Sequence, residues 1–501
     1  MSTGIDRFNQ TLTRCCSIIR NNDKLSSDGV FDDLSKILFL KNQYDRKCRV
    51  SGKSFSPEEF SRFLNHSSEE IKREMKDDRL GKEIKKIQVK QASLEHIIEE
   101  IGKFNLSEMP DDIKGTAYQE LMGKTLNKQL RQFFTPRPIV DFMVTILDPC
   151  QGELVCDPCC GSGSFLVKTF RHIREKFLKK PGEAHRPGLA KDYPFTMSNG
   201  CIFGVDANPR MAWASKLNMI MHGGGHEGIH LGDGLLNKRG VFDGRFDVVF
   251  ANPPFGKRVI KELTISPVDC MAEEEITDYG ARIGANSVEY LRLVKSNVGK
   301  PILELFDMGK ITKLTEAFFM ERCLRLLKPG GRMGIILPEG VLNSDKFQEM
   351  RDYAEGKAKL ILIASLPKEA FRHLQVGVTA GIVFLKKFTF EEAALYQRIS
   401  IAAKEAVSKK FAAEIGKTGR PVKRKKHNNR RKRELEARMK AEIRSIVKEE
   451  FDYEIPVISI EKAAKDCYYG LDENLLPQIA DDYTAYRKEN KLWEHKLSPS
   501  P

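Results

Sequence analysis

The chain has 501 residues, of which 41% are hydrophobic and 30% charged. That balance excludes a membrane-embedded or wholly disordered polypeptide, and the length calls for two or three domains. The net charge of +14 points to a polyanionic partner, nucleic acid first, but twelve Lys or Arg face two Glu between Lys417 and Lys440, so the basicity describes one tail segment and little of the rest.

The N-terminus carries no apolar segment, and no apolar run reaches the roughly 18 residues of a membrane span, so a cytoplasmic protein without a signal peptide is expected. Eleven irregularly spaced cysteines fit a reducing compartment. Cys150, Cys156, Cys159 and Cys160 crowd together. Zinc prefers separated Cys pairs or added His, which the adjacent Cys159 and Cys160 do not provide, so reduced, buried thiols are expected and no metal.

In chain order, residues 1–112 read as helical, with apolar positions at helical spacing in Phe31–Leu40 and Leu94–Ile101. They form an expected N-terminal docking or lid domain. Strand–helix alternation fills residues 113–388. The strand candidates are Glu153–Cys156, Cys201–Val205, Gly228–Leu231, Phe246–Ala251, Arg332–Leu337, Lys359–Ser365 and Thr379–Lys386. Helices are expected at Phe165–Lys179, Pro209–His222, Lys310–Leu327 and Asp345–Gly356. Such alternation predicts an α/β fold: a doubly wound, mostly parallel seven-stranded sheet, with ligands at the C-terminal strand edge. Two insertions, Lys180–Met197 and Arg258–Lys300, interrupt it; the second, just after Asn252, reads as a substrate-side lid. Residues 389–501 read as polar helices Phe390–Ala412 and Glu434–Glu450 around a basic linker, Gly416–Arg433, with a last helical piece at Asp481–Glu489.

The first strand runs into Asp157-Pro158-Cys159-Cys160-Gly161-Ser162-Gly163-Ser164. Glycines at a strand-to-helix turn let a ligand approach the backbone near free N–H groups. The dinucleotide fingerprint is incomplete, because Leu166 stands where its third glycine belongs, and no P-loop is present. A nucleoside-like ligand without a phosphate chain fits best, with Asp157 available to an ammonium group. Asp206, at the tip of the second strand, is placed to accept ribose hydroxyls, or else it caps the next helix. Asp233, in Gly232-Asp233-Gly234, can accept from an exocyclic amine, or mark only a turn. The stretch Gln132-Phe133-Phe134-Thr135-Pro136-Arg137 either offers an aromatic to a ligand or simply starts a helix. Asn252-Pro253-Pro254-Phe255 follows a buried strand; its prolines stiffen a loop carrying a carboxamide, backbone carbonyls and a ring.

In this order, QFFTPRP, DPCCGSGSF, GVDANP, GDG and NPPF resemble motifs X, I, II, III and IV of S-adenosylmethionine-dependent DNA adenine-N6 methyltransferases. The resemblance is closest to the modification (M) subunits of type I restriction–modification systems. Those commonly read DPACGSGGF at motif I; Cys159 replaces Ala and Ser164 replaces Gly. The resemblance implies S-adenosylmethionine as cofactor, contacted by Gln132, Phe133, Phe134, Thr135, Pro136, Arg137, Asp157, Gly161, Ser162, Gly163, Ser164, Asp206 and Asp233. It implies that Asn252, Pro253, Pro254 and Phe255 hold the target adenine. The implied partners are DNA, a specificity (S) subunit and a restriction (R) subunit, with a second M subunit as a further candidate. Rival expectations are methylation of an RNA adenine or a protein glutamine, and a scaffold that binds cofactor or DNA without transfer.

Overall fold

A computed structural model describes residues 4–65, 86–126, 134–178, 200–259, 262–366, 379–412, 414, 425–451 and 457–459. Helices α1 (Gly4–Ile18), α2 (Ser27–Ser51), α3 (Pro57–Asn65), α4 (Gln91–Gly102) and α5 (Asp111–Thr125) come first. Helix α2 starts where the Ser26 hydroxyl accepts from Gly29 N and ends at Gly52 with φ +68°. It is buried along most of its length, down to Lys41, whose ammonium bonds Asp45 at 2.6 Å and the Phe104 carbonyl at 2.7 Å.

Helix α6 (Arg137–Leu147) leads to β1 (Val155–Asp157), α7 (Ser164–Leu178), β2 (Ile202–Asp206), α8 (Pro209–Met221) and β3 (Ile229–Leu231). Then come β4 (Phe246–Ala251), α9 (Glu273–Ile283), α10 (Ala285–Ser296), α11 (Thr315–Leu326) and β5 (Leu327–Pro338). Helices α12 (Glu339–Asn343) and α13 (Gln348–Glu355) precede β6 (Ala358–Ser365) and β7 (Ala380–Lys387). The last elements are α14 (Phe390–Lys410), α15 (Lys425–Glu450) and β8 (Val457–Ser459).

The strands form one sheet in the order β3-β2-β1-β4-β5-β7-β6-β8. Only β7 runs antiparallel to its neighbours, β5 and β6. All seven expected strands are present, and β8 extends the sheet by pairing with β6. Helices cover both faces of the central strands, so β4 is buried at every position except Asp247, which explains its near-continuous apolar run. Val155 of β1 pairs with Ile202 on one side and Val248 on the other. The chain winds outward from β1 through β2 to β3, then returns past β1 to β4. The winding reverses between β1 and β4, which opens a crevice at their C-terminal ends.

The N-terminal helices share one apolar cluster with α8, in which Phe31, Leu34 and Phe39 join Trp213 and Leu217. Arg210, in the first turn of α8, donates from Nε and Nη2 to the two oxygens of Asp32, both at 2.6 Å. Trp213 Nε1 donates to Ser35 Oγ at 2.9 Å. The helical region thereby docks on the helix that follows Asp206.

Four expectations change. Helix α11 starts at Thr315, not Lys310, because the Thr315 N–H is taken by the Lys257 carbonyl at 3.1 Å. The Arg258–Lys300 insertion is a helical pair seated on the connection into β4: Asn237 Nδ2 donates to the Tyr290 carbonyl at 3.0 Å and Lys238 Nζ to the Asp269 carbonyl at 3.0 Å. These contacts add a flank on the β3–β4 connection that the expected substrate-side lid did not include. Helix α15 begins at Lys425, inside the expected linker. Its later turns pack on α14 through Leu435 against Val407 and Phe411, and Val447 against Ile399 and Ala403, so tertiary burial overrides the polar composition. The fourth change is β8, a strand in a C-terminal region for which only helices and a basic linker are expected. Lys180–Met197 and Asp481–Glu489 lie outside the described residues. Among the described residues, no helix is long and apolar enough to cross a membrane.

Candidate active site

The turn after β1 is built on itself and on β2. Asp157 is buried, and its Oδ1 accepts from Cys159 N at 3.0 Å. Gly161 and Gly163 have φ of +53° and +78°, which other residues rarely adopt. A Cβ on Gly163 would lie 2.4 Å from Ser215 Oγ, so this glycine also lets α7 begin against α8. The Ser162 carbonyl accepts from Asn218 Nδ2 of α8 at 2.9 Å, and the Ser162 and Ser164 hydroxyls lie 3.2 Å apart.

Asp206 joins the ends of β1 and β2. Its Oδ2 accepts from Gly161 N at 2.9 Å and its Oδ1 from Asn208 N at 2.8 Å. The cap of α8 is Asn208, whose side chain accepts from Arg210 N and Met211 N. Asp206 is therefore not the helix cap, and each of its oxygens keeps a second lone pair for a hydroxyl donor. Asp233 closes a turn by accepting from Leu235 N at 2.9 Å. A Cβ on the neighbouring Gly234 would meet the Pro158 carbonyl at 1.7 Å, so the loops after β1 and β3 touch.

Across the crevice, β4 delivers Asn252. Its Nδ2 donates to Thr135 Oγ1 at 3.0 Å. With Nδ2 turned to Thr135, Oδ1 is the end of the carboxamide left to serve as acceptor. The Asn252 backbone N–H is directed at the Cys159 thiol, which ties this loop to the turn after β1. Pro253 is buried; Pro254 and Phe255 are half-buried, with the Phe255 ring against the cluster of Ile139, Val140 and Phe142. Of the Gln132–Arg137 stretch, Gln132 and Phe133 lie outside the described residues. Phe134 packs on the N-terminal core, Pro136 immediately precedes α6, and Arg137 is exposed, its Nε 3.8 Å from Asp141.

Burial sets the electrostatics. It pushes the Asp157 carboxyl up to about 7, with the Asp206 charge adding to the shift. It pushes Asp206 up to about 6, against the stabilising Asn208 and Gly161 N–H groups. Asp233 is raised too, first by burial and then by Asp269. Three desolvated carboxyls at adjacent strand ends suit a ligand that brings positive charge and hydroxyl donors. The Cys156, Cys159 and Cys160 thiols are raised well above their ordinary value by burial and then by nearby aspartates, so they are neutral rather than nucleophilic.

Two groups that organise these loops lie on α11. Glu316 Oε1 accepts from Gly256 N at 2.5 Å, directly after Phe255. Arg322 donates from Nε to the Gly234 carbonyl and from Nη2 to the Leu236 carbonyl, each at 2.9 Å. Sequence spacing carries no signal for either: both read as polar positions on an ordinary helix.

Comparison with known proteins settles the family. The model of the N-6 DNA methylase family matches residues 109–277 and 308–465, more than half of the chain. The chain belongs to that family. It is 24% identical over 298 residues to the methylase subunit of the type I restriction enzyme EcoEI from Escherichia coli, covering 59% of this chain and 50% of that one. It is 29% identical over 180 residues to the methylase subunit of the type I restriction enzyme MjaVII from Methanocaldococcus jannaschii, covering 33% of this chain and 28% of that one. The matched part thus spans half or less of these relatives' own length. Among solved structures, a chain of a type I R-M system superposes with a TM-score of 0.52 at 21% identity, over 77% of this chain and 75% of that one. A modification subunit from Vibrio vulnificus also gives 0.52, at 19% identity, over 77% and 82%. These likenesses establish a shared fold, and family membership implies use of S-adenosylmethionine.

Proposed function

We propose that the chain transfers the methyl group of S-adenosylmethionine to the exocyclic N6 of adenine in DNA, as the modification subunit of a type I restriction–modification system. The observation that carries this reading is the Asn252–Thr135 bond beside the turn after β1. It presents an oriented amide oxygen at the one crevice where the winding of the sheet reverses.

S-adenosylmethionine, when bound, supplies the methyl group. Asp157 would take its ammonium, Asp206 the ribose hydroxyls and Asp233 the adenine amine of the cofactor, and Gly161–Ser164 with the Gln132–Arg137 stretch would complete the cradle. Asn252 Oδ1 and the Pro253 carbonyl accept the two N6 hydrogens of the target adenine. That draws the nitrogen lone pair out of conjugation and stabilises the positive charge that develops on it. Phe255 stacks on the base, and Pro254 keeps the loop rigid. A base inside a duplex cannot reach this loop and must be flipped out at a cost of a few kcal/mol, of which stacking returns about 1–3 kcal/mol.

The regional division belongs to the same proposal: 1–112 for docking, 113–388 for catalysis, 389–501 for DNA or subunit contacts. Sequence choice is assigned to a specificity subunit, with a restriction subunit, DNA and a second modification subunit as further partners. Labelled S-adenosylmethionine, offered with genomic DNA, RNA and protein extract, tests the reading. Label is expected in DNA as N6-methyladenine at defined sites, and only with the specificity partner present. Label in RNA or protein alone, or none anywhere, would overturn it.

The carboxyls predict a pH dependence. A folded-state pKa above the unfolded one means that the folded protein binds more protons between about 4 and about 7. The stability of the ligand-free protein should therefore fall as pH rises through this window, while affinity for the cationic cofactor rises. Asp206→Ala should weaken cofactor binding by about 10-fold or more and flatten that rise. Calorimetric titration across the range checks both, and an affinity that ignores pH and Asp206 would remove the assignment.

A further inference from the structure

The exit of the Asn252 loop is pinned by the first turn of α11. The Thr315 hydroxyl donates to the Lys257 carbonyl at 3.0 Å, and Glu316 Oε1 accepts from Gly256 N at 2.5 Å. Gly256 has φ +65°, so the chain turns sharply there, one residue after Phe255. Glu316 is only 3% exposed, and its second oxygen, Oε2, is buried without a hydrogen-bond partner among the described residues. A buried carboxylate that leaves one oxygen unsatisfied costs stability. This one spends its other oxygen on a backbone N–H beside the ring that faces the target base. Two turns along the same helix, Arg322 grips the Gly234 carbonyl on the cofactor side of the crevice. One rigid element thus sets the cofactor edge and the target-base edge against each other.

We infer that Glu316 is a positioning residue for methyl transfer: through Gly256 N–H it fixes the plane of Phe255, and with it the seat of the flipped base relative to the methyl donor. The inference rests on the proposed methyltransferase reading. In-line transfer is sensitive to displacement of this kind, and a misplacement of about 1 Å costs on the order of 100-fold in rate.

The test replaces the gene in its own genome with E316A or E316Q. Each complex is then purified through a tag on this chain, with whatever subunits accompany it. Initial rates of labelled methyl transfer are measured on genomic DNA from a strain lacking the gene, alongside cofactor affinity and melting temperature. E316A should lower kcat by about 10- to 100-fold while leaving the cofactor KM and the melting temperature at or above wild type. E316Q, whose amide oxygen still accepts from Gly256 N, should recover most of the rate. Wild-type kcat in E316A, joint loss of affinity, melting temperature and rate, or failure of Gln to rescue would each overturn the inference. A wild-type complex that leaves no N6-methyladenine would overturn the methyltransferase reading itself, and this inference with it.

Discussion

Asn252→Ala is expected to lower methyl transfer by about 100- to 1,000-fold or more while leaving cofactor binding almost unchanged. The amide contributes in two ways that alanine cannot replace. In the proposed mechanism its oxygen accepts a hydrogen from the target amine as that nitrogen gains positive charge. Its Nδ2, bonded to Thr135, holds the oxygen in place before the base arrives, so no reorganisation is needed during transfer. None of the residues assigned to the cofactor ammonium, ribose or adenine depends on the Asn252 side chain. The loss should therefore fall on kcat and not on the cofactor KM. Initial-rate kinetics with a separate binding titration check this. A variant that still forms N6-methyladenine at the normal rate would remove Asn252 from the mechanism. Asn252→Asp is a sharper comparison: a carboxylate keeps an acceptor oxygen but cannot donate to Thr135 Oγ1 through an N–H.

What was legible beforehand follows from how local each signal is. Phe246–Ala251 was placed residue for residue, because a strand buried on both faces reads as an apolar run ending at Asn252. The turn after β1 and the acidic tip of β2 were legible because glycine, proline and aspartate act on their own neighbours. Of the two readings of Asp206, ligand or cap, Asn208's bonds to Arg210 and Met211 exclude the cap, and ribose binding stands as the proposal. The parts that escaped are contacts across the chain. Thr135 meets Asn252 over 117 residues, Glu316 meets Gly256 over 60, and Arg322 meets Gly234 over 88. No periodicity or spacing encodes such pairs. Strand β8 has no signal in the sequence because three residues, Val457–Ser459, are too short for a pattern and gain their place from β6. The basic start of α15 reads as linker because its composition favours solvent; packing of the helix's later turns on α14 decides otherwise.

Arg322→Met is expected to destabilise the protein by about 3–5 kcal/mol, the cost of breaking a buried charge pair from one side. Arg322 is 2% exposed and lies under the loop after β3. Beyond its two carbonyl bonds, its Nη1 donates to Asn237 Oδ1 at 2.7 Å and to Asp243 Oδ1 at 2.6 Å. Burial lowers the guanidinium's pKa, and Asp243 opposes that shift. Methionine fills similar space but leaves Asp243 with Arg325 alone and strips donors from the Gly234 and Leu236 carbonyls. Lysine should recover only part of the loss, because an ammonium cannot reproduce a planar fork aimed at several acceptors. The Asp243→Asn, Arg322→Met double variant should lose clearly less than the two single losses added, since the second change removes a charge that the first left unpaired. Urea unfolding of the wild type, the three single variants and the double variant measures these terms, and an unchanged midpoint in Arg322→Met would refute the account. Cofactor affinity should also weaken in Arg322→Met, because the loop it releases carries Asp233. That separates it from Asn252→Ala: one variant loosens the donor edge of the crevice, while the other disarms the acceptor edge and leaves the donor edge intact.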